Sequence, residues 1–153
     1  MKKMVIYTDA SVIGGCEDVE FSEGSLALWS QFKSGKYLMA ISELVIRELE
    51  GAPQDVKNRL LEIPNEYKVL LPDTADSVEL AETYLKRGII GPGSRADALH
   101  VALATTGGAD VLVSWNFKHI VNLGRIRHFQ AVNLEFGYPA IEIRTPKEVL
   151  SYE

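Results

Sequence analysis

Four polar side chains in this sequence have the types and positions needed for metal-assisted hydrolysis: Asp9, Glu48, Asp97 and Asn116. Three carboxylates brought together repel one another, and their natural counter-charge is a hard divalent cation such as Mg²⁺ or Mn²⁺. Such a cation also accepts the carbonyl oxygen of asparagine as a ligand. A cluster of this kind suits phosphodiester hydrolysis, because the metal activates a bound water and neutralises charge that develops on the phosphate.

Each of the three acids also has a purely structural interpretation. Asp9 precedes the small residues of ASVIGG and fits an N-cap of the turn that begins there. Glu48 fits a solvated glutamate on a helix, and Ser94-x-x-Asp97 fits the capping-box pattern in its aspartate form. However, the segment RADALHVALATT is otherwise small and apolar, so we expect a buried helix whose first acid has a partner.

The elements that must position these side chains alternate between strands and helices. Apolar runs predict strands at 4–8, 37–40, 67–71, 110–114 and 141–144. Capping residues and glycines predict helices at 22–34, 42–50, 54–62, 74–88, 94–106 and 117–133. This alternation predicts an α/β fold with a mostly parallel sheet covered on both faces. Ligands of such folds bind beyond the carboxyl ends of the strands, where Asp9 and Asn116 are placed.

Composition limits the possible classes of protein. The 153 residues are 46% hydrophobic and 24% charged, which predicts a single globular domain over 1–153. The amino-terminal apolar run is too short for a signal peptide, and no run reaches the length of a membrane span. Cys16 is the only cysteine, so no intramolecular disulfide can form and a reducing cytoplasm is the expected compartment. No activating motif surrounds Cys16, so we expect an inert thiol.

The net charge of -5 argues against a protein that coats nucleic acid through bulk charge. It leaves room for one local basic patch, although solvated surface charge explains the same residues. The candidates are Lys33 with Lys36, or the cluster Lys118, His119, Arg125, Arg127 and His128.

The order of these residues along the chain resembles the PIN domain, and especially the VapC-like toxins. The resemblance covers nearly the whole chain and depends on order and spacing. Its parts are Asp9 after the first strand, Ser42-x5-Glu48 after the second, Asp97 opening the small-residue helix, Ser114-Trp115-Asn116-Phe117 after the fourth strand, and the closing IEIRTPKEVL.

The resemblance implies a three-layer α/β/α sandwich and a metal-dependent ribonuclease that cleaves single-stranded or looped RNA. Asp9 and Asp97 would hold Mg²⁺ or Mn²⁺ directly, and Glu48 would be a further ligand or would orient the water. Asn116 departs from the aspartate that the family often carries there, which removes one negative charge while keeping an oxygen ligand. A small antitoxin protein and a homodimer are the partners that the resemblance implies.

Further residues have less specific roles in this interpretation. Ser114 is expected to add a hydroxyl contact, and Lys118 is a candidate contact to RNA phosphate. Arg95 is a candidate contact to phosphate or a solvated side chain, and His119 is a candidate contact to RNA phosphate or a helix cap. His100 is expected to be a packed, hydrogen-bonded core histidine. Trp115 is expected in packing, at a position where a base could stack.

Three functions remain open at this level. A ribonuclease is the first, and a catalytically weak or inactive PIN-like interaction module is the alternative that Asn116 suggests. A metal-dependent phosphatase fits less well, because TDASV lacks the second aspartate of an Asp-x-Asp pair.

Overall fold

The computed structural model describes residues 2–151, and its centre is a five-stranded sheet in which every neighbouring pair is parallel. The strands are β1 (Val5–Thr8), β2 (Leu38–Ser42), β3 (Lys68–Leu71), β4 (Val111–Val113) and β5 (Glu142–Arg144). Their order across the sheet is β3-β2-β1-β4-β5. The predicted mostly parallel α/β architecture is confirmed.

Within residues 2–151, eight α-helices connect and cover the strands. They are α1 (Ala10–Gly15), α2 (Ser22–Lys33), α3 (Glu43–Leu49), α4 (Gln54–Leu61), α5 (Ala75–Lys86), α6 (Arg95–Thr106), α7 (Leu123–Glu135) and α8 (Pro146–Leu150). Single 3₁₀ turns lie at Asn65–Tyr67 and Pro92–Ser94. Helix α5 packs on α6, whereas α1 packs on α2 and α4, and α2 packs on α8. The result is a three-layer α/β/α sandwich, as expected where parallel strands are joined by helical crossovers.

The strand order places a topological switch point between β1 and β4. From β1 the chain builds outward through β2 and β3, and it then returns to add β4 and β5 on the other side. Thr8 pairs with Val113, so the residues after these two strands, Asp9 and Ser114, begin side by side at the carboxyl edge. Open α/β sheets bind their ligands at such a point.

Two predictions of secondary structure near this edge are wrong. The helix predicted over 117–133 begins only at Leu123, because the side-chain oxygen of Asn122 accepts from the backbone N of Arg125 and starts the helix there. The capping box predicted for Ser94 and Asp97 is absent, since Ser94 makes no side-chain cap hydrogen bond. Asp97 therefore does not form a capping box with Ser94.

Trp115 closes the apolar layer under α1 and α2 and is only 7% exposed. Its ring stacks on Phe21 with centroids 4.6 Å apart, and its Nε1 donates to Ser25 Oγ at 2.9 Å. A Cβ at Gly15 would lie 2.8 Å from that Nε1, so the indole needs a glycine there. Base stacking on Trp115 is excluded by this burial. Phe117, 52% exposed, is the aromatic side chain that reaches the surface nearby.

Within residues 2–151, no helix has both the length and the apolar character that crossing a lipid bilayer requires. Cys16 is buried, and burial raises the pKa of its thiol to about 12. The thiolate that would act as a nucleophile is therefore scarce at neutral pH, as expected for an inert cysteine.

Candidate active site

Asp9 lies buried at the switch point, with 4% of its surface exposed. It is the N-cap of α1, and its Oδ1 accepts from the backbone N of Val12 at 3.3 Å and from Ser11 Oγ at 2.6 Å. The helix-cap interpretation of Asp9 is thus confirmed, and it does not compete with a functional one. Burial raises the pKa of Asp9, while nearby His100 and the donors Ser11, Ser114 and Val12 lower it.

Ser114 joins Asp9 to the loop after β4. Its Oγ donates to Asp9 Oδ2 at 2.6 Å and accepts from the backbone N of Asn116 at 2.9 Å. Ser11 makes a second link, because its Oγ accepts from the backbone N of Trp115 at 3.0 Å. Two hydroxyls therefore hold both carboxylate oxygens of Asp9 in place. The role found for Ser114 is orientation of Asp9.

Glu48 comes from α3, whose N-cap is Ser42 at the end of β2. Its Oε1 lies 2.7 Å from Nε2 of His100, a buried side chain on α6. On the other side of the ring, His100 Nδ1 lies 2.8 Å from the hydroxyl of Tyr7, which lies 2.7 Å from Ser42 Oγ. These four side chains, Glu48, His100, Tyr7 and Ser42, form a hydrogen-bonded relay from the edge of the sheet into the core.

The positions of the protons along this relay follow from the hydrogen bonds of its two end members, Glu48 and Ser42. An ionised Glu48 only accepts, so His100 carries its proton on Nε2 and accepts at Nδ1 from Tyr7. The Tyr7 oxygen then accepts from Ser42, whose own oxygen accepts from the backbone N of Val45 at 3.4 Å. In this arrangement every hydroxyl proton has an acceptor. Burial raises the pKa of Tyr7, so its hydroxyl keeps its proton.

Asp97 lies in the first turn of α6, three residues before His100 and partly buried. Among residues 2–151, no side chain or backbone N–H donates a hydrogen bond to its carboxylate. Burial raises the pKa of Asp97; His100 and His119 lower it, and the charges of Asp9 and Glu48 raise it further. The three acids thus lie near enough to interact, and a desolvated carboxylate without a donor calls for a positive partner.

Asn116 follows Ser114 but has a local structural task. Its Oδ1 accepts from the backbone N of His119 at 2.9 Å and stabilises the turn that replaces the predicted helix. An amide oxygen has two lone pairs, so this contact leaves one for a cation. His119 is partly buried, and its Nδ1 has no hydrogen-bond partner in the described part of the chain.

Mg²⁺ and Mn²⁺ take oxygen ligands, which the carboxylates of Asp9, Glu48 and Asp97 and the amide of Asn116 carry. Within residues 2–151, no three of the Asp, Glu, His and Cys side chains are arranged to hold a metal ion without rearrangement. Mg²⁺ commonly takes only one or two carboxylates and keeps several waters. Asp9, fixed by two hydroxyls, and Asp97, without any donor, meet that smaller requirement. The residues present therefore fit a water-rich divalent ion better than an all-protein cage.

The three predicted contacts to RNA phosphate lie in two different places. Arg95 is exposed and pairs with Glu82 on α5, so its charge is already compensated. Lys118 is exposed on the turn after Asn116 and makes no ion pair within residues 2–151. Of the predicted phosphate contacts, Lys118 and His119 thus lie on the same turn as Asn116, and Arg95 does not.

Tyr7, Ser11 and Ser42 are the polar residues whose link to the acids was missed. Tyr7 and Asp9 are two residues apart, and this is the spacing that puts strand side chains on one face. This spacing could have indicated that Tyr7 lies on the same side of the sheet as Asp9. The link between His100 and Glu48 joins residues 52 positions apart and has no local signal.

No protein-family model matches this sequence, and no curated protein sequence matches it. Solved structures do match. A chain of VapBC2 from Rickettsia felis, crystallised bound to a DNA fragment from its promoter, superposes with a TM-score of 0.59 and 16% identity. The match covers 93% of this chain and 98% of the other.

VapC20 from Mycobacterium tuberculosis, a toxin described as cleaving the sarcin-ricin loop, superposes with a TM-score of 0.58 and 16% identity. That match covers 89% of this chain and 98% of the toxin chain. The fold is PIN-like. The resemblance carried by the order of acids and strands is confirmed at the level of the fold, and the PIN-like fold places Asp9 at its switch point.

Proposed function

We propose that this protein is a divalent-metal-dependent endoribonuclease that hydrolyses RNA phosphodiester bonds. The observation that carries the proposal is the environment of the Asp97 carboxylate. It is partly buried, has no hydrogen-bond donor among residues 2–151, and is influenced by the charges of Asp9 and Glu48 at the switch point. Burial of an unpaired carboxylate beside two others costs free energy unless a cation joins them. The PIN-like fold supports the same activity.

In the proposed site Asp9 and Asp97 hold Mg²⁺ or Mn²⁺, and Asn116 offers a further oxygen. The bound ion would lower the pKa of a water and neutralise charge on the phosphate. Ser11 and Ser114 each donate to one oxygen of Asp9 and hold its carboxylate in place. These hydrogen bonds favour the ionised form and oppose burial, which raises the pKa of Asp9.

Glu48 acts as the orienting group for the attacking water, or as a further ligand of the ion. Its Oε1 is fixed by His100 Nε2, which leaves Oε2 to accept a hydrogen bond from that water. As the water attacks phosphorus, its proton passes to a carboxylate at the site. The bond from phosphorus to the leaving oxygen breaks, and that oxygen takes up a proton from solvent and leaves as a hydroxyl. Such positioning converts bound water into an aligned nucleophile.

The biological setting belongs to the same proposal. Likeness to VapBC2 and VapC20 supports the toxin of a type II toxin-antitoxin pair, with a small antitoxin protein as partner. A homodimer is proposed as the assembly from the family resemblance alone. Cys16 as the only cysteine supports a reducing cytoplasm. RNA is the proposed substrate.

The test is cleavage of total cellular RNA by the purified protein with Mg²⁺ or Mn²⁺, followed by mapping of the new RNA ends. Asp97→Asn should abolish cleavage. Asp55→Asn is the matched control, because Asp55 is an exposed aspartate in the first turn of α4. It should cleave like wild type. Equal cleavage by Asp97→Asn and wild type would rule the proposal out.

A second candidate is a catalytically weak or inactive PIN-like interaction module. Two observations favour it: Asn116 carries no charge and already accepts from the backbone of His119, and no three-residue metal cluster is preformed within residues 2–151. Calorimetric titration with Mn²⁺ near neutral pH separates the candidates. Absence of binding, together with a folded protein, would favour the interaction module.

A further inference from the structure

A polar cleft of about 370 Å³ opens between the chain that follows α5 and the first two turns of α7. It is lined by Arg87, Gly88, Ile89, Asn122, Gly124, Arg125 and His128. No carboxylate is among these lining residues. Four other clefts in the described part of the chain each include at least one acid, namely Glu50, the pair Asp76 and Glu79, and Asp110 in two of them.

The contrast matters because the chain carries a net charge of -5. Among the five clefts described for residues 2–151, this one alone has cationic lining and no acid, and a cleft lined by one sign of charge attracts ligands of the opposite sign. Anionic ligands are the class that such a cleft recognises. The sequence cluster that includes Arg125 and His128 therefore contributes to a concave site as well as to surface charge.

Arg125 is the fixed cation of this cleft. Its Nη1 donates to the backbone oxygen of Ile89 at 2.9 Å, which anchors the guanidinium to the opposite wall. Its other guanidinium N–H groups have no partner within residues 2–151. Arg87, by contrast, is already paired with Glu135 at 2.5 Å. Arg125 and His128 thus supply the donors, and a guanidinium suits phosphate oxygens through paired N–H groups.

Both walls of the cleft are joined by short stretches of chain to the carboxyl edge of the sheet where Asp9, Glu48 and Asp97 lie, here called the acidic edge. Asn122 forms one wall, and its Nδ2 donates to the backbone oxygens of Phe117 and Lys118 at 3.0 Å each. Those residues belong to the turn that begins at Asn116. The other wall, at Ile89, leads into α6, whose first turn carries Asp97. These connections are the reason for placing the cleft beside the path of a polymer bound at the acids.

We propose that this cleft binds a backbone phosphate of the RNA strand whose neighbouring phosphodiester lies at the acidic site. The inference rests on the proposed nuclease function and extends it with a phosphate subsite. The subsite holds the strand in register through Arg125 and His128 and makes no base contact. It contributes affinity without sequence preference, and the affinity falls with salt.

Binding is measured on the Asp97→Asn background, so that the RNA is not cut. The probe is a fluorescein-labelled single-stranded RNA of twelve nucleotides, followed by fluorescence anisotropy across salt concentrations. Arg125→Gln removes the fixed cation. Gly124→Glu introduces a carboxylate into the cleft at a first-turn helix position, where a glutamate is favourable and a Cβ would meet only Asn122 Oδ1, at 3.9 Å. Gly124→Glu therefore tests the cleft even if Arg125→Gln perturbs folding.

The controls carry the same charge changes on α7 outside the cleft: Arg127→Gln and Ala131→Glu, both at exposed positions. We expect the two cleft variants to weaken RNA binding about tenfold relative to these controls. The slope of log affinity against log salt should also become shallower by about 0.7 for Arg125→Gln. Cleft variants that bind RNA like their controls would overturn the proposal.

Inorganic phosphate is the second probe and separates an RNA site from a site for a free anion. Two results together would contradict the proposal: phosphate shifts the NMR signals of Gly124 and His128, and the cleft variants bind RNA like their controls. The cleft would then be a site for a small anion. Failure of the proposed function has a different signature. It would appear as equal cleavage by wild type and the catalytic-site variant, whatever the RNA affinity of the cleft variants.

Discussion

The side chain of His100 lies 2.7 Å from that of Glu48, and this contact couples α6 to α3 across strand β1. The far side of the same imidazole contacts Tyr7, which in turn contacts Ser42, the cap of the helix that carries Glu48. The relay therefore begins at Glu48 on α3 and ends at Ser42, the N-cap of the same helix. It fixes which nitrogen of His100 faces the acid, and it explains why a partly exposed glutamate has a defined orientation.

Tyr7→Phe tests this relay by removing one oxygen. The change leaves His100 Nδ1 without a donor and Ser42 Oγ without its acceptor, so we expect a loss of about 1–3 kcal/mol in the free energy of unfolding. It also frees His100 to change tautomer and to release Glu48. The measurements are urea denaturation, ¹⁵N NMR of the imidazole, and the rate of RNA cleavage, which should fall.

Tyr84→Phe is the matched control for Tyr7→Phe. Tyr84 is also fully buried, and its hydroxyl donates to Asn133, away from the three acids. Both variants should lose stability, but only Tyr7→Phe should alter the tautomer of His100 and the cleavage rate. A Tyr7→Phe protein that keeps the Nε2–H tautomer would show that the relay does not set the orientation of Glu48.

Asp97→Asn should stabilise the metal-free protein at neutral pH. The folded protein raises the pKa of Asp97, by burial first and by the charges of Asp9 and Glu48 as well. A carboxyl whose pKa is higher in the folded state favours folding below its unfolded pKa of 3.8, and this contribution is lost as pH rises through the folded value. Wild type should therefore unfold at a lower temperature than Asp97→Asn at pH 7, and the gap should close near pH 3.

Divalent metal should reverse that order. An ion that binds only the folded wild type raises its stability with concentration, whereas Asp97→Asn has lost a ligand. Thermal melts with and without millimolar Mn²⁺ measure both effects in one experiment. A Mn²⁺ shift of equal size in wild type and variant would separate Asp97 from metal binding.

The sequence was sufficient for the five strands, for most of the helices and for their alternation along the chain. Capping residues and positive-φ glycines such as Gly35 and Gly88 are local signals, and they placed the ends of α2 and α5 within a residue or two. Where a local signal was ambiguous, the prediction was wrong. The segment after Asn116 has helical composition, but two asparagine side chains, Asn116 and Asn122, hold its first part as a turn.

The candidate acids and Ser114 were proposed from the sequence, but most of the hydrogen bonds that hold the acids were not. Asp9 follows a buried strand, so its place at the carboxyl edge is predictable from local sequence, whereas its role is not. The partners that orient the acids lie far away in the chain: Ser114 is 105 residues from Asp9 and His100 is 52 residues from Glu48. Such pairs depend on strand order and register, which single-sequence patterns do not specify.

Gly15→Ala should destabilise the protein by about 1–3 kcal/mol, because the added methyl group overpacks a closed layer. The new Cβ would lie 2.5 Å from Ser25 Oγ and 2.8 Å from Trp115 Nε1, which are hydrogen-bonded to each other. Gly14→Ala is the control in the same helix, where a Cβ meets nothing within 4 Å. It should be neutral or gain up to about 1 kcal/mol. If both variants lose similar amounts of stability, the destabilisation comes from the helix backbone and not from a clash with Trp115.

Asn116→Asp should tighten binding of Mn²⁺ by about tenfold, which corresponds to about 1.4 kcal/mol. The aspartate can still accept from the backbone N of His119, so the turn survives, and it adds a negative oxygen beside the loop that Ser114 ties to Asp9. Without metal the same variant should be less stable near neutral pH, because a further carboxylate joins the acidic edge. Calorimetric titration gives the first effect and metal-free thermal melts give the second. If Asn116→Asp loses stability but binds Mn²⁺ no more tightly than wild type, residue 116 stabilises the turn and takes no part in holding the ion.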